Sequence, residues 1–201
     1  MTENRGLSAE QYEYLMKPIK ASRISSRNQG GKSLSYVEAW DIKAHLTRIF
    51  GFCNWDSEMI EYHHVADRAY TNQSGGAMVE VIYSVRIRLT IRDQGGAWLC
   101  THAEAAVGSA SGPENLLGDL HDNALKTAAS DALKRCAINL GTQFGLSLYD
   151  NGKQSDVIKV TLVKPDGVST VEVTTEQEGL LKDSLGAIPI PEPQAQDVSH
   201  G

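Results

Sequence analysis

The stretch MVEVIYSVRIRLTIRD, Met78–Asp93, decides the fold because its apolar residues fall on alternate positions. Side chains of a β-strand point alternately to its two faces, so this period of two predicts a strand with one buried face. The apolar positions are Val79, Val81, Tyr83, Val85, Ile87, Leu89 and Ile91. The other face carries Arg86, Arg88 and Arg92, which could bind an anion or equally pair with Glu104 across a sheet.

The segments beside this strand extend it into a sheet. Asp93–Gly96, DQGG, is a turn signal, and AWLCTHAEAAVG at 97–108 returns as a partner strand, which makes a long hairpin. NWDSEMIEYHHV at 54–65 is predicted to add a third strand. The centre of the chain is therefore expected to be an antiparallel sheet.

Helical periodicity predicts three helices around the sheet, at residues 7–20, 33–51 and 113–140. In the first, Ser8 and Gln11 form a capping-box pattern, and Gly51 closes the second. The expected buried face of the second helix is Val37, Trp40, Ala44 and Ile49, and that of the third is Leu117, Leu120, Ala124, Ala128, Ala132 and Cys136. A loop at 26–32 is expected to join the first two helices.

Length and composition indicate one substantial core followed by a tail. The chain has 201 residues, of which 41% are hydrophobic, and three widely spaced cysteines that indicate neither disulfides nor zinc. We expect a domain at 1–150 and an acidic, Pro-rich tail at 151–201, with a small hairpin at 157–173 and a disordered stretch at 188–201. Without a membrane-length apolar run or signal-peptide pattern, we expect a cytoplasmic, nucleoid-associated protein that does not bind membranes.

The formal net charge of −6 at pH 7 is unevenly distributed. Residues 151–201 contain four lysines and eight carboxylates, so most of the net negative charge lies in the tail. The folded part is nearly neutral, and local cations there can still bind nucleic acid.

SRNQGGKS, Ser26–Ser33, ends in the Gly-Lys-Ser of a nucleotide-binding loop. That loop needs a glycine five residues before Gly31, where this chain has Ser26, and it should follow a buried strand. A Gly-Gly turn fits the residues better, and we expect no nucleotide or other cofactor.

Two other sets of residues could carry chemistry. His63, His64 and Asp67 could hold a catalytic metal, although adjacent strand residues point to opposite faces and surface histidines fit better. The remaining candidates are cations suited to phosphates, namely Arg27, Lys32, Lys126, Lys134 and Arg135. On the third helix, ordinary ion pairs with Asp122 and Asp131 are the alternative.

Four ordered motifs resemble the Rad52 family of single-strand annealing proteins over residues 8–150. They are ISSR at 24–27, YVE at 36–38, FG at 50–51 with Trp55, and DALKR at 131–135. The resemblance implies an α+β fold, with a β-β-β-α core, a long antiparallel hairpin and flanking helices. It also implies a homo-oligomeric ring whose groove holds single-stranded DNA by its phosphates, so that the bases can pair with a complementary strand.

The resemblance places Arg27, Lys134 and Arg135 at phosphate-binding positions and Tyr36 in the adjoining segment. This chain departs from the family at Ile138, where a third cation is usual, and near Asn115, where an outer-site lysine is usual. Arg86, Arg88 and Arg92 are our own candidate substitutes.

The expected function is annealing without ATP or enzymatic activity in recombination and double-strand break repair. A recombinase or single-strand-binding protein could dock on the tail, and the short chain favours a bacterial or phage source. A metal-dependent nuclease and a protein-only adaptor are the alternatives.

Overall fold

The computed structural model describes residues 6–150, 152–155 and 157–168, with the backbone alone for Gln29 and Lys32. It is an α+β fold with a three-stranded antiparallel sheet followed by a long helix, as the sequence predicts. The helices and strands are α1 Ala9–Leu15, β1 Ser25–Gln29, β2 Lys32–Tyr36, α2 Ala39–Phe50, β3 Trp55–Thr71, β4 Ala77–Arg92, β5 Trp98–Pro113 and α3 Leu117–Ile138. Short 3₁₀ turns lie at Ala21–Arg23, Glu114–Leu116, Thr142–Phe144 and Leu146–Tyr149.

The main sheet has the order β3-β4-β5. Along β4, the predicted apolar face is buried except for the half-buried Tyr83. α3 packs on the same face, with Leu120, Ala124, Ala128, Ala132 and Cys136 buried, whereas the predicted Leu117 is exposed because it lies at the start of the helix. The buried face of β4 and the buried face of α3 therefore pack against each other and form one core.

Small residues allow α3 to approach β5 closely. A Cβ atom at Gly108 would lie 2.3 Å from the Ala128 nitrogen and 2.7 Å from the Ala124 carbonyl oxygen. These separations are far inside van der Waals contact, so this crossing requires a residue without a side chain on the strand.

Residues 25–36 form a hairpin, so the expected loop at 26–32 and the expected helix start at residue 33 are both wrong. β1 and β2 pair antiparallel around a two-residue turn in which Gly30 has φ 58° and Gly31 has φ 77°. Positive φ at both turn residues matches the twist of a hairpin, and glycine adopts it without strain. Lys32 therefore begins a strand, whereas in a phosphate-binding loop it would begin a helix.

The helix that follows buries only part of the predicted face. α2 starts at Ala39 and buries Ile42, Leu46, Ile49 and Phe50. The predicted Val37 and Ile49 are buried, whereas the predicted Trp40 is 71% exposed and Ala44 is exposed. Trp40 and Ala44 are each two positions from Ile42, which places them on the opposite side of the helix. Gly51 closes the helix as predicted, with φ 90°.

The first helix begins with the predicted capping box. The Ser8 hydroxyl accepts a hydrogen bond from the Gln11 backbone N–H, and Gln11 Oε1 accepts one from the Ser8 N–H at 2.9 Å. Gln11 Nε2 also donates to the Ile49 carbonyl at 2.9 Å. Gln11 therefore both completes the capping box and holds α1 against the end of α2.

Beyond residue 150, the described residues contain neither helix nor strand. The hairpin expected at 157–173 is thus not formed over 157–168, and residues 169–173 and 188–201 lie outside the described part. The Thr161 hydroxyl lies 2.5 Å from the Tyr12 hydroxyl, which brings this segment onto α1. Within the described residues, none of the helices has the length and hydrophobicity needed to cross a membrane.

A buried polar network joins α2 to the segments on either side of it. Arg23 pairs with Asp41 at 2.7 Å and donates to the Gln143 carbonyl at 2.8 Å. His45 is fully buried, and its Nδ1 accepts from Arg48 at 2.7 Å while its Nε2 donates to Gln143 Oε1 at 3.1 Å. Only a neutral imidazole can make both contacts, and burial together with Arg23 and Arg48 lowers the pKa of His45 from 6.5 to about 4.

We expect this histidine to make the fold acid-labile. The unfolded chain takes up a proton below pH 6.5 while the native ring stays neutral to about pH 4, so the stability from His45 is present above 6.5 and is lost as pH falls towards 4. At about 1.4 kcal/mol per unit, the loss is at most about 3 kcal/mol. Urea unfolding at fixed subunit concentration across this range measures it.

Replacing His45 with Gln should flatten that pH dependence, whereas replacing the exposed His63 should leave it unchanged. An identical pH dependence in wild type and His45→Gln would contradict the assignment.

Candidate nucleic-acid interface

A groove with a volume of about 900 Å³ lies between the β1–β2 hairpin and the C-terminal half of α3. The segment after α3 closes its end. The hairpin contributes Arg27 and Ser33–Tyr36, α3 contributes Asp131, Lys134, Arg135 and Ile138, and the closing segment contributes Phe144, Gly145, Leu148, Tyr149 and Gly152. Segments about a hundred positions apart in the chain therefore form one surface.

The register of the hairpin places the groove residues on one face. Arg27 is opposite Leu34, and Tyr36 is opposite Ser25. Directly opposed residues of antiparallel strands share a face, and residues two apart on one strand do so as well. Arg27, Leu34 and Tyr36 therefore all point towards α3.

Tyr36 lies between two cations that come from different elements. The Arg27 guanidinium carbon is 5.6 Å from the centre of its ring, and Lys134 Nζ is 5.4 Å from the same centre. Such cation–π contacts contribute about 0.5–1 kcal/mol each at exposed sites. The tyrosine ring thus holds both positive charges at the groove.

The Tyr36 hydroxyl donates a hydrogen bond to Glu38 Oε1 at 2.9 Å. This bond raises the pKa of Tyr36 above its ordinary value, with smaller contributions from burial and from the Glu38 charge. The ring is therefore neutral at physiological pH and keeps its attraction for cations. Glu38 fixes its orientation from just before α2.

The two α3 cations are held in different ways. Lys134 pairs with Asp131 at 2.6 Å, one helical turn earlier. Arg135 Nη1 donates to the Ala105 carbonyl on β5 at 2.8 Å. Ile138 lines the groove one turn after Lys134, at the position expected to face the same ligand.

The groove has a positive balance of charge. The described residues of its lining include three cations, Arg27, Lys134 and Arg135, and one carboxylate, Asp131. Among the described residues, neither arginine has a carboxylate oxygen within 4.0 Å. Arg27 and Lys134 meet at the Tyr36 ring, and Arg135 lies beside Lys134 in the same lining. With one aspartate against three cations, this concentration of positive charge is unfavourable unless an anion binds there.

Comparison with known proteins identifies the family. Residues 8–166 match the family described as "Rad52/22 family double-strand break repair protein". The chain belongs to the Rad52/22 family. It is 30% identical over 138 residues to the DNA repair and recombination protein rti1 of Schizosaccharomyces pombe, covering 68% of this chain and 34% of the relative.

Two further relatives carry similar names. The DNA repair and recombination protein rad22 of Schizosaccharomyces pombe is 30% identical over 154 residues, covering 73% of this chain and 30% of the relative. The protein radC of Emericella nidulans is 30% identical over 154 residues, covering 74% and 24%. The chain thus spans about a quarter to a third of the length of these relatives. They are fungal and lend no support to the expected bacterial or phage source.

Among the other cations predicted from the sequence, Lys126, Arg86, Arg88 and Arg92 lie outside the groove lining of this Rad52/22 family member. Lys126 pairs with Asp122 on the exposed side of α3. Lys32 lies in β2, and the structure describes only its backbone. Arg86, Arg88 and Arg92 lie on β4 and do not line the groove.

Arg86 and Arg88 do not face Glu104, so the cross-strand pair considered from the sequence is wrong. Glu104 is opposite Ile87, on the face covered by α3, whereas the two arginines point to the other face. Their neighbours there are acids of β3, since Arg88 pairs with Glu58 at 3.0 Å and Arg86 is opposite Glu61.

Several groove residues were missed because the hairpin was not predicted. Leu34 and Tyr149 are exposed apolar residues in the lining, and Glu38 holds Tyr36. The signal for Leu34 was present, because KSLSY after Gly-Gly alternates as a hairpin strand does. Glu38 and Tyr149 required the tertiary structure.

Of the suggested metal ligands, the structure keeps His64 and Asp67 together and separates His63 from them. His63 contacts Glu61 at 2.6 Å, while His64 contacts Asp67 at 2.7 Å. The two histidines point to opposite faces, as the strand period predicts. The structure instead brings His121 of α3 to His64 and Asp67.

Proposed function

We propose that this protein binds single-stranded DNA in the groove and anneals complementary strands in recombination and double-strand break repair. The observation that carries the proposal is the convergence of Arg27, Lys134 and Arg135 on one groove, where Tyr36 contacts the first two. Membership of a double-strand break repair family supports it, as do relatives named as DNA repair and recombination proteins.

The chemistry of the groove suits a phosphate backbone. The arginines offer planar, bidentate donors and Lys134 offers a point charge. Phosphates repeat along any strand, so these contacts bind without regard to sequence. A strand held by its phosphates leaves its base edges available, which is what pairing with a second strand requires.

We propose that annealing needs no nucleotide and no catalytic residue. The Gly30–Gly31 turn joins two strands, whereas a nucleotide-binding loop directs its backbone N–H groups from the start of a helix. Strand pairing is downhill in free energy, so the protein has only to bring strands together in a suitable conformation.

We propose that the subunits assemble into a closed homo-oligomeric ring. β3 is an edge strand of the sheet, and its α3-facing side exposes Met59 and Tyr62, which are 42% and 62% exposed. An apolar edge strand favours contact with another chain, and repeated head-to-tail contacts must close or form filaments.

The segment beyond residue 150 is proposed as a tail that docks a recombinase or a single-strand-binding protein. Its acidic composition supports this role. An outer DNA site near Asn115 and a contribution from Arg86, Arg88 and Arg92 also remain proposals.

We expect the purified protein to accelerate pairing of complementary oligonucleotides in the absence of nucleotide and metal. Fluorescence transfer between labelled strands measures the rate, and light scattering on the same preparation should report an assembly larger than a monomer. Strands with scrambled sequence provide the control, because they should bind without pairing.

Annealing at the spontaneous rate would contradict the proposal. Shortened strands after incubation with Mg²⁺ or Mn²⁺ would instead indicate a nuclease. The absence of any DNA shift at low salt would indicate a protein-only adaptor.

A further inference from the structure

Three side chains with metal-binding atoms converge where β3 meets the first half of α3. His64 and Asp67 lie on β3, and His121 lies on α3. One ligand atom of each lies within 4.8 Å of the other two. The side chains are 44%, 39% and 32% exposed, so an ion from solvent can reach them.

A β-bulge builds one half of this cluster. Residues three apart on a regular strand point to opposite faces, which would separate His64 from Asp67. The pairing with β4 instead runs His64↔Tyr83, Ala66↔Ile82 and Asp67↔Val81, so β3 contains one extra residue. Tyr83 and Val81 share the α3-facing side of β4, and their partners His64 and Asp67 therefore share it too.

Hydrogen bonds orient the ligand atoms towards one another. The Tyr83 hydroxyl lies 3.0 Å from His121 Nδ1, which leaves Nε2 directed to Asp67 Oδ2 at 3.9 Å. His64 Nε2 lies 2.7 Å from Asp67 Oδ1. A histidine whose second nitrogen is hydrogen-bonded is the usual arrangement for a metal ligand.

We propose that His64, Asp67 and His121 bind a divalent transition-metal ion, for which Zn²⁺ fits best. Two imidazoles and one carboxylate favour zinc over magnesium or calcium, which prefer oxygen ligands. Ligand atoms about 2.0–2.1 Å from a tetrahedral ion are about 3.3 Å apart, and the two observed separations of 2.7 and 3.9 Å lie on either side of that value. The third pair, His64 and His121, has ligand atoms within 4.8 Å of each other, so binding would require the side chains to adjust around the ion.

The ion would tie the edge strand β3 to α3 and would leave one coordination position for water. The site is separate from the groove, because His121 and Lys134 are thirteen residues apart on α3, which is about 20 Å along a helix. Metal binding should therefore stabilise the fold without supplying a phosphate contact in the groove.

Titration of Zn²⁺ into the full-length, tag-free protein tests the site. We expect one equivalent per chain to bind in the micromolar range or tighter, and the thermal midpoint to rise. Co²⁺ in place of Zn²⁺ should give the visible absorption of a four-coordinate nitrogen and oxygen site. Tyr83→Phe should weaken binding about tenfold because it frees His121, and Asp67→Asn or His121→Asn should weaken it at least as much.

His63→Asn is the matched control, because it removes a neighbouring histidine on the opposite face and should leave metal affinity unchanged. Circular dichroism checks that each variant is folded. No saturable binding by wild type, or binding that survives both Asp67→Asn and His121→Asn, would overturn the proposal. Loss of binding in His63→Asn would overturn it as well.

Discussion

We expect Arg27→Ala and Arg135→Ala each to weaken the proposed single-strand binding about tenfold or more, and by a similar factor for every sequence. A charge-assisted hydrogen bond contributes about 1.5–3 kcal/mol, and about 1.4 kcal/mol corresponds to a factor of ten. Each lost phosphate contact should also make the plot of log affinity against log salt shallower by about 0.7. Binding curves across a salt series measure both quantities.

The chain offers a matched pair of lysines for the same test. Lys134 and Lys126 both lie on α3, and each pairs with an aspartate within one helical turn. Lys134 lines the groove, whereas Lys126 does not. Lys134→Ala should therefore reduce affinity and salt slope, while Lys126→Ala should change neither. A loss of affinity in Lys126→Ala equal to that in Lys134→Ala would contradict the assignment of binding to the groove.

A gain of function at Ile138 is the complementary test. Ile138 lines the groove one turn after Lys134, so an arginine there can reach the same strand. We expect Ile138→Arg to tighten binding and to steepen the salt slope by about 0.7. Light scattering confirms that the oligomer is intact in each variant. Unchanged affinity and salt slope in both Arg27→Ala and Arg135→Ala would show that these two residues are not in the site. Arg86, Arg88 and Arg92 would then be the next candidates.

The sequence predicted the main sheet because its pattern is local and long. In Met78–Asp93, every second residue from Val79 to Ile91 is apolar, so each of them indicates the same buried face. In α3, buried residues recur at helical spacing over several turns. The capping box of α1 was predictable for the same reason, since Ser8 and Gln11 are three residues apart.

The hairpin at 25–36 was missed because its strands are only five residues each and carry few apolar residues. The Gly-Gly pair predicts a turn, but the alternation of KSLSY is so short that the helical period of the residues after it obscures the strand. The positions of Arg27 and Lys134 around Tyr36 could be expected only from the family resemblance, because nothing local connects residues so far apart in the chain.

The sequence named His64 and Asp67 as possible metal ligands, but it paired them with His63 and gave no sign of His121. A regular strand separates His64 from Asp67, and only the bulge brings them to one face. His121 reaches them from a helix that begins about fifty residues later in the chain. Irregularities of this kind leave no period in the sequence.

Gly108→Ala should destabilise the fold by about 3 kcal/mol, at the upper end of the usual cost of overpacking. The new methyl group would meet the backbone of α3 at Ala124 and Ala128, the shortest separation being 2.3 Å. Backbone cannot rotate away as a side chain can, so the helix must move off the sheet. This cost exceeds the gain of about 0.4–1 kcal/mol from restricting the unfolded chain.

Two other glycines provide comparison variants with smaller expected effects on stability. A Cβ at Gly112 would meet only the Leu120 side chain, at 2.9 Å, and one at Gly118 in α3 meets nothing within 4 Å. Gly112→Ala should therefore cost less than Gly108→Ala, and Gly118→Ala should stabilise by about 0.5–1 kcal/mol because alanine favours helix. Urea unfolding at fixed subunit concentration ranks the three.

The same substitution connects packing to binding. α3 carries Lys134 and Arg135, and Arg135 is anchored to the Ala105 carbonyl on the strand that contains Gly108. Moving the helix away from β5 separates these cations from Arg27 on the hairpin. Gly108→Ala should thus lose DNA affinity under conditions where it is still folded, while Gly118→Ala keeps it. Equal stability of the Gly108 and Gly112 variants would show that α3 does not need this close approach to hold the groove together.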